Sequence, residues 1–165
     1  MDDRDPIERR VLARVEQLDL DVDVIEIDPA LADTADFCAH YGFALEESAN
    51  CIVVASRDDD PVVAACLVLA TTRLDVNKRV RRLLGVRKLS FAPADLTMQV
   101  TGMMIGGVTP FGLPDDLPLY VDARIMALDR VIVGGGSRSI KLHVPPATLT
   151  AIGGEVIDGL ALPVG

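Results

Sequence analysis

The chain has 165 residues, half of them hydrophobic, and a formal net charge of −9 at pH 7. The hydrophobic content excludes a disordered chain, and the length is that of one ordinary domain. The apolar runs over 52–55 and 62–70 fall far short of the ~20 residues of a membrane helix, and the acidic start of the chain is unlike a secretory signal. We therefore expect a cytoplasmic protein with no membrane partner.

The first part of the chain has the patterns of helices and strands in alternation. Apolar residues recur at helical spacing after Pro6, and apolar and acidic residues alternate over 22–27. Asp33 or Thr34 can cap a second helix, and Gly42 can end it. We predict a helix over 6–20, a strand over 22–27, a helix over 34–41, and central, paired strands over 51–56 and 62–70.

The positive charge is concentrated between residues 73 and 88, where seven basic residues accompany one acid. Apolar residues at helical spacing within this segment predict a short helix that ends at Gly85, with the basic side chains in solvent. Such a basic ridge could bind phosphates, or it could be an ordinary solvated helix face. Its candidate nucleic-acid-binding residues are Lys78, Arg79, Arg81, Arg82, Arg87 and Lys88.

The second half of the chain is rich in strands. Residues 102–118 contain four glycines and three prolines, so no helix can run through them. We predict a strand over 88–91, a helix from Pro93, strands over 119–121, 130–133 and 139–144, and a closing helix over 145–152. The predicted fold is a single α/β domain, in which helices surround a mixed, curved or barrel-like sheet.

Two glycine loops, at 106–112 and 134–137, are candidate binding segments, because a backbone without Cβ atoms can approach a ligand closely. Neither loop has the spacing of a P-loop or a dinucleotide-binding loop, and no GxSxG nucleophile is present. The cysteines Cys38, Cys51 and Cys66 form no CxxC pair, and the two histidines stand in no zinc-binding motif. We therefore expect buried structural thiols, no metal and no cofactor.

The loops and their neighbours together resemble the YbaK/EbsC family, whose members are free-standing relatives of the editing domain of bacterial prolyl-tRNA synthetases. The resemblance spans about 34–157. It implies a mixed α/β domain that hydrolyses the ester between a small mischarged amino acid, of the Cys or Ala type, and the 3′ end of a tRNA. It also implies aminoacyl-tRNA as partner and leaves open a synthetase partner. The segments that carry it are Thr101-Gly102, 106–112, Val121-Asp122, 134–138 and 145–149.

The resemblance also implies a set of site residues. The first glycine loop matches the segment that grips the aminoacyl group, and the second, with its basic residue, matches the far side of the pocket. The expected catalytic residues are Asn50, Gly107 and Thr109. The expected substrate-binding residues are Gly106, Val108, Pro110, Asp122, Gly135, Gly136, Ser137, Arg138 and Lys141.

One position departs from the family, because Asn50 stands where members have a lysine that is important for activity. A charge-assisted hydrogen bond is roughly twice as strong as a neutral one, so activity could be weaker, differently targeted or absent. Lys141, between Ile140 and Leu142, could supply the charge from another side of the pocket. Strand alternation alone predicts instead that Lys141 faces outward.

Two alternatives therefore stay open beside aminoacyl-tRNA deacylation. The chain could be a non-catalytic module that binds aminoacyl-tRNA or a small acyl ligand. It could also hydrolyse another aminoacyl or acyl ester, for which tRNA would compete poorly. The sequence predicts neither the amino acid nor the oligomeric state.

Overall fold

The computed structural model describes residues 4–164. Its helices are α1 (Pro6–Gln17), α2 (Thr34–Tyr41), α3 (Arg81–Leu84), α4 (Ala94–Thr101) and α5 (Ala147–Ala151). A π-helical turn at Val76–Val80 leads directly into α3, and 3-10 turns lie at Pro29–Leu31, Leu45–Glu47 and Ala123–Ala127. The strands are β1 (Asp23–Glu26), β2 (Ala49–Ser56), β3 (Val63–Leu69), β4 (Thr72–Leu74), β5 (Leu89–Phe91), β6 (Leu119–Asp122), β7 (Val131–Gly134), β8 (Ile140–Val144), β9 (Glu155–Ile157) and β10 (Ala161–Pro163).

The strands form three sheets. The largest has the order β5-β2-β3-β6-β9, and it is mixed, because β6 runs parallel to both β3 and β9. The second sheet is antiparallel with the order β1-β8-β7, and the third pairs β10 with β4. A single parallel bridge between Ser48 and Ile132 connects the first two sheets over the described residues.

Short-range sequence signals set the ends of the helices. Asp5 accepts a hydrogen bond from the amide of Ile7 at 2.9 Å and so caps α1. At their other ends α2, α3 and α4 each stop at a glycine in the left-handed conformation, a common way to end a helix. The predicted helix ends at Gly42 and Gly85 are thereby confirmed.

The core lies on both faces of the five-stranded sheet. One apolar cluster packs this sheet against α1 and the β7–β8 pair, with Val11, Phe111 and Leu142 fully buried. A second cluster covers the opposite face with the π-helical turn and β10. A third joins α2, through Phe37, to Ile132 on the outer face of the three-stranded sheet. This third cluster positions α2 next to the site described below.

The predicted mixed α/β fold is confirmed, although its sheets stay open over residues 4–164, so the barrel-like alternative is not realised. The expected central hairpin is confirmed as β2 and β3, which pair in antiparallel fashion in the middle of the sheet. Sequence analysis missed the short strands β4, β9 and β10. None of the helices within the described residues is long and apolar enough to cross a bilayer.

Candidate active site

A cavity of about 310 Å³ opens where α2, β2, the first glycine loop and the β7–β8 pair meet. This volume lies at the lower end of the range for small-molecule sites. The cavity brings together four of the predicted site residues from three distant parts of the sequence. They are Asn50, Gly106, Val108 and Lys141.

The two glycine loops approach each other beside this cavity. A Cβ atom at Gly107 would lie 2.2 Å from the carbonyl oxygen of Ser137, and one at Gly134 would lie 2.5 Å from that of Val108. No side chain tolerates such distances from backbone atoms, so both positions require glycine. The amide of Gly136 also donates to the carbonyl oxygen of Gly107 at 2.6 Å, which holds the loops together.

The amides of the first glycine loop fall into two groups. Gly107 donates to the carbonyl oxygen of residue 104 at 2.9 Å, and Thr109 donates to a buried methionine sulfur at 3.4 Å. The amides of Gly106 and Val108 form no hydrogen bond with any residue from 4 to 164. Gly106 and Val108 also line the cavity, which makes their amides the candidate donors of this loop for a ligand.

Asn50 lies at the exposed start of β2, on the rim of the cavity. Its side-chain oxygen accepts a hydrogen bond from the hydroxyl of Thr34, the first residue of α2, at 2.8 Å. Its NH₂ group has no partner within the part of the chain that the structure describes. Asn50 therefore presents a fixed, neutral donor to the cavity.

Lys141 lies on β8 opposite Gly134, and its side chain is only 7% exposed. Strand alternation does turn Lys141 away from the main core, as predicted. However, α2 covers that face of the sheet, and the ammonium nitrogen lies 5.6 Å from the centre of the ring of Phe37 in α2. No residue from 4 to 164 forms a hydrogen bond or an ion pair with this ammonium group. Lys141 is therefore a buried cation that lines the cavity.

The surroundings of Lys141 lower its pKa. Burial is the largest cause, since it disfavours the charged form, and Arg138 lowers the pKa further. Cys38 and Asp33 act in the opposite direction. A lysine in such an environment gains from any ligand that brings negative charge close to it.

Arg138 does not line the cavity itself, but its guanidinium contacts two residues that do. Its guanidinium contacts Asp33 at 3.4 Å and the carbonyl oxygen of Ile105 at 3.4 Å, and both of these residues line the cavity. The same guanidinium occupies the space next to Gly106 that a side chain would fill. Because Asp33 is engaged in this way, it does not cap α2 with its side chain, although α2 begins where the sequence predicts.

The other predicted site residues lie outside the cavity. Thr109 is fully buried, and Pro110 borders a separate depression with Gly112. Gly135 and Gly136 face the apolar side chains of Ile140 and of α1, and the hydroxyl of Ser137 accepts from the amide of Ser139. These residues support the loops and do not line the pocket.

Asp122, which was expected at the pocket, is likewise not among the residues that line this cavity. It lies at the end of β6, with no exposed surface, and accepts a hydrogen bond from the amide of Arg124 at 3.3 Å. The Arg124 guanidinium pairs with it at 3.1 Å and also donates to the carbonyl oxygen of Ala161. Asp122 thus caps a 3-10 turn and ties it to β10.

The cysteine at the cavity is a poor nucleophile. Cys51 lines the cavity, but burial and the neighbouring Cys66 raise its pKa far above the ordinary value for a thiol. Burial likewise raises the pKa of Cys66 to about 12. Since the thiolate is the reactive form, both are inert near neutral pH. Among residues 4–164 no three potential metal ligands come together.

The basic ridge lies near α3. Lys78, Arg82, Arg87 and Lys88 are exposed. Arg79 and Arg81 are half-buried and donate to the carbonyl oxygens of Asp158 and Asn77. The six cations form no ion pair with any carboxylate within residues 4–164.

Thr34 and Phe91 line the cavity but were not predicted as site residues. Thr34 was noted only as a helix cap, yet its hydroxyl holds Asn50. Phe91, at the end of β5, lines the cavity and is 55% exposed. An aromatic residue at the end of a short strand was the only available signal for Phe91, because its neighbours come from distant segments.

The fold and the site together define a mixed α/β domain with a small cavity, lined by a glycine loop and a buried lysine. Residues 28–152 match the family described as aminoacyl-tRNA editing domain. The chain belongs to this family, which confirms the resemblance seen in the sequence.

The chain is also similar to individual proteins and solved structures. The uncharacterized protein YwhH of Bacillus subtilis (strain 168) is 27% identical over 128 residues, which are 78% of this chain and 79% of that protein. The crystal structure of a proposed trans-editing enzyme for prolyl-tRNA synthetase is 26% identical, with a TM-score of 0.81 over 98% of this chain and 99% of that one. The hypothetical protein APE2540 shares the fold at 24% identity, with a TM-score of 0.82 over 92% and 99% of the two chains.

Proposed function

We propose that this protein hydrolyses the ester between a small amino acid and the 3′-terminal adenosine of a tRNA, acting in trans in the cytoplasm as one editing domain over residues 1–165. The observation that carries the proposal is that Lys141 lines the same cavity as Gly106 and Val108. Within residues 4–164, neither its buried ammonium nor the amides of those two residues have a hydrogen-bond partner. Hydrogen-bond donors and positive charge are what the hydrolysis of an ester requires around the carbonyl oxygen.

The roles follow from the chemistry of the reaction. Water adds to the carbonyl carbon, and negative charge develops on the carbonyl oxygen. The amides of Gly106 and Val108 and the ammonium of Lys141 stabilise that charge; losing one such donor typically costs about 10²–10³ in rate. The bond to the ribose oxygen then breaks, the ribose oxygen takes up the proton that the water gives, and the free amino acid leaves.

Lys141 replaces, in this proposal, the lysine that family members carry at the position of Asn50. The positive charge has moved from β2 to β8, while both strands still border the same cavity. Asn50, held by Thr34, uses its free NH₂ group to position the ribose of the terminal adenosine. Gly107 and Thr109, first expected to act on the ester, hold the loop through their internal hydrogen bonds.

The size of the cavity favours a small amino acid. About 310 Å³ must hold the amino acid together with part of the terminal ribose. The apolar lining from Ala32, Cys51 and Val108 suits a short side chain of the Ala or Cys type. The relative described as a proposed trans-editing enzyme for prolyl-tRNA synthetase supports the editing reaction itself.

A deacylation panel tests the proposal. Purified protein is incubated with Ala-tRNA, Cys-tRNA and Ser-tRNA, and the loss of aminoacyl ester is compared with the loss in buffer. We expect hydrolysis above the buffer rate for at least one of them. Hydrolysis of none would refute the enzyme, and retained binding of aminoacyl-tRNA without hydrolysis would instead identify a binding module.

A further inference from the structure

A second groove, of about 520 Å³, adjoins the cavity on the side of β5. Three basic residues, Arg57, Arg73 and Lys78, line it, and Asp75 is its single acidic residue. A carboxylate oxygen of Asp75 accepts from the amide of Lys78 at 3.3 Å and so caps the π-helical turn. The groove is therefore positive in a protein whose net charge is −9.

The cations of the groove are available to a ligand. Within residues 4–164, neither Arg57 nor Arg73 nor Lys78 forms an ion pair. Arg57 and Lys78 belong to segments that are about twenty residues apart and reach one groove only through the fold. A positive groove in an acidic protein concentrates the electrostatic attraction for a polyanion at one place.

Phe91 connects the groove with the cavity, because its side chain lines both. More than half of this side chain is exposed, and Leu162 adds a second exposed apolar residue to the groove. Exposed aromatic side chains beside cations are the usual elements of sites for single-stranded nucleic acid, since bases stack on the ring while the cations contact the phosphates.

We propose that this groove binds the unpaired nucleotides directly upstream of the esterified adenosine, with one base stacked on Phe91 and the phosphates held by Arg57, Arg73 and Lys78. This inference rests on the proposed function and assigns the route by which the tRNA end reaches the cavity. The exposed residues Arg82, Arg87 and Lys88 do not line the groove, and in this proposal they contact the double-stranded stem. A folded RNA stem alone does not need Phe91, because its bases are already paired.

The groove can be tested by binding, without hydrolysis. The probe is a fluorescein-labelled, single-stranded RNA of about eight nucleotides ending in CCA, a length within the usual site size. Fluorescence anisotropy measures its affinity for the native protein at several salt concentrations. We expect Phe91→Ala to weaken binding about fivefold or more and Phe91→Trp to retain it. We expect Arg73→Gln to lower the slope of log affinity against log salt by about 0.7.

Matched variants elsewhere serve as controls. Val156→Ala removes an exposed apolar side chain from β9, at the other edge of the sheet, and Arg9→Gln removes an exposed cation from α1. Both should bind the RNA like the native protein. Native affinity in Phe91→Ala and Arg73→Gln, or no binding by the native protein, would overturn the groove assignment.

The outcome for the groove is separable from that for the proposed function. If the native protein deacylates tRNA while the groove variants bind the RNA unchanged, only the groove assignment fails. If RNA binding depends on Phe91 and Arg73 but no aminoacyl-tRNA is hydrolysed, only the hydrolytic function fails.

Discussion

The ammonium nitrogen of Lys141 lies 5.6 Å from the centre of the Phe37 ring, so that α2 covers a charged residue of β8. This contact of a cation with an aromatic face is favourable, but it replaces only part of the hydration that burial removes. The cavity therefore contains a charge that forms no ion pair or hydrogen bond with any residue from 4 to 164. A ligand that brings developing negative charge supplies the missing partner.

Replacing Lys141 with methionine should separate stability from activity. Methionine fills a similar volume without a charge to desolvate, so we expect Lys141→Met to raise the free energy of unfolding by about 1 kcal/mol. Deacylation should fall about a hundredfold to a thousandfold, the usual cost of losing one donor to the developing negative charge. Chemical denaturation and the deacylation assay measure the two effects. In the control Lys88→Met, which changes an exposed lysine, the free energy of unfolding should stay within about 0.5 kcal/mol of the native value. If Lys141→Met destabilises the protein, Lys141 has a structural role instead.

The pKa of Lys141 should be measurable directly. Because burial lowers it, the ¹³Cε resonance of Lys141 should titrate below the ordinary value of 10.5. Between the lowered pKa and 10.5 the unfolded chain binds more protons than the folded one, so this residue makes stability rise with pH across that window. Deacylation above the buffer rate should fall as pH rises through the same pKa. Titration at or above 10.5 would contradict a desolvated ammonium.

A side chain at Gly107 should disrupt the contact between the glycine loops. The Cβ atom of Gly107→Ala would meet the backbone of Ser137, which cannot move aside like a flexible side chain. We expect a loss of about 2 kcal/mol or more in stability, as for other overpacked sites. In the control Gly153→Ala nothing lies within 4 Å of the new atom, and only the strain of its positive φ remains, at about 1 kcal/mol. Equal losses in the two variants would argue against a tight loop contact.

Thr34 and Asn50 should act as a pair. Asn50→Ala removes the NH₂ group from the cavity. We expect a fivefold to tenfold loss of kcat/KM, which corresponds to the free energy of about one hydrogen bond. Thr34→Val removes only the hydroxyl that holds Asn50, so its effect should be smaller. The double variant should lose less than the two single variants together, because they share one interaction. Fully additive losses would show that Thr34 does not position Asn50.

The sequence was sufficient for features that neighbouring residues determine. The glycines at 42 and 85 end helices through their own conformational freedom, and the apolar runs of β2 and β3 identify the central hairpin. The short strands β9 and β10 were not predicted, because three residues are too few to show a periodic pattern. Their partners, β6 and β4, are also distant in sequence.

The site was predictable only in part for the same reason. The glycine loops and Lys141 were recognisable as candidates, but alternation could not reveal that α2 covers the outer face of β8. Asp122 was assigned to the pocket by family pattern, whereas its contacts with Arg124 make it a cap. Which loop amides stay free also depends on the long-range contact between Gly107 and the second loop.

In the proposed site, Lys141 on β8 supplies the positive charge that family members place on β2. Single-turnover deacylation by the native protein, Lys141→Met, Asn50→Lys and the double variant tests it most directly, with the amino acid that the panel identifies. We predict that Lys141→Met loses activity and that adding Asn50→Lys to it restores a large part, since either strand can present the cation. A double variant as inactive as Lys141→Met, or a Lys141→Met protein as active as the native one, would contradict the account.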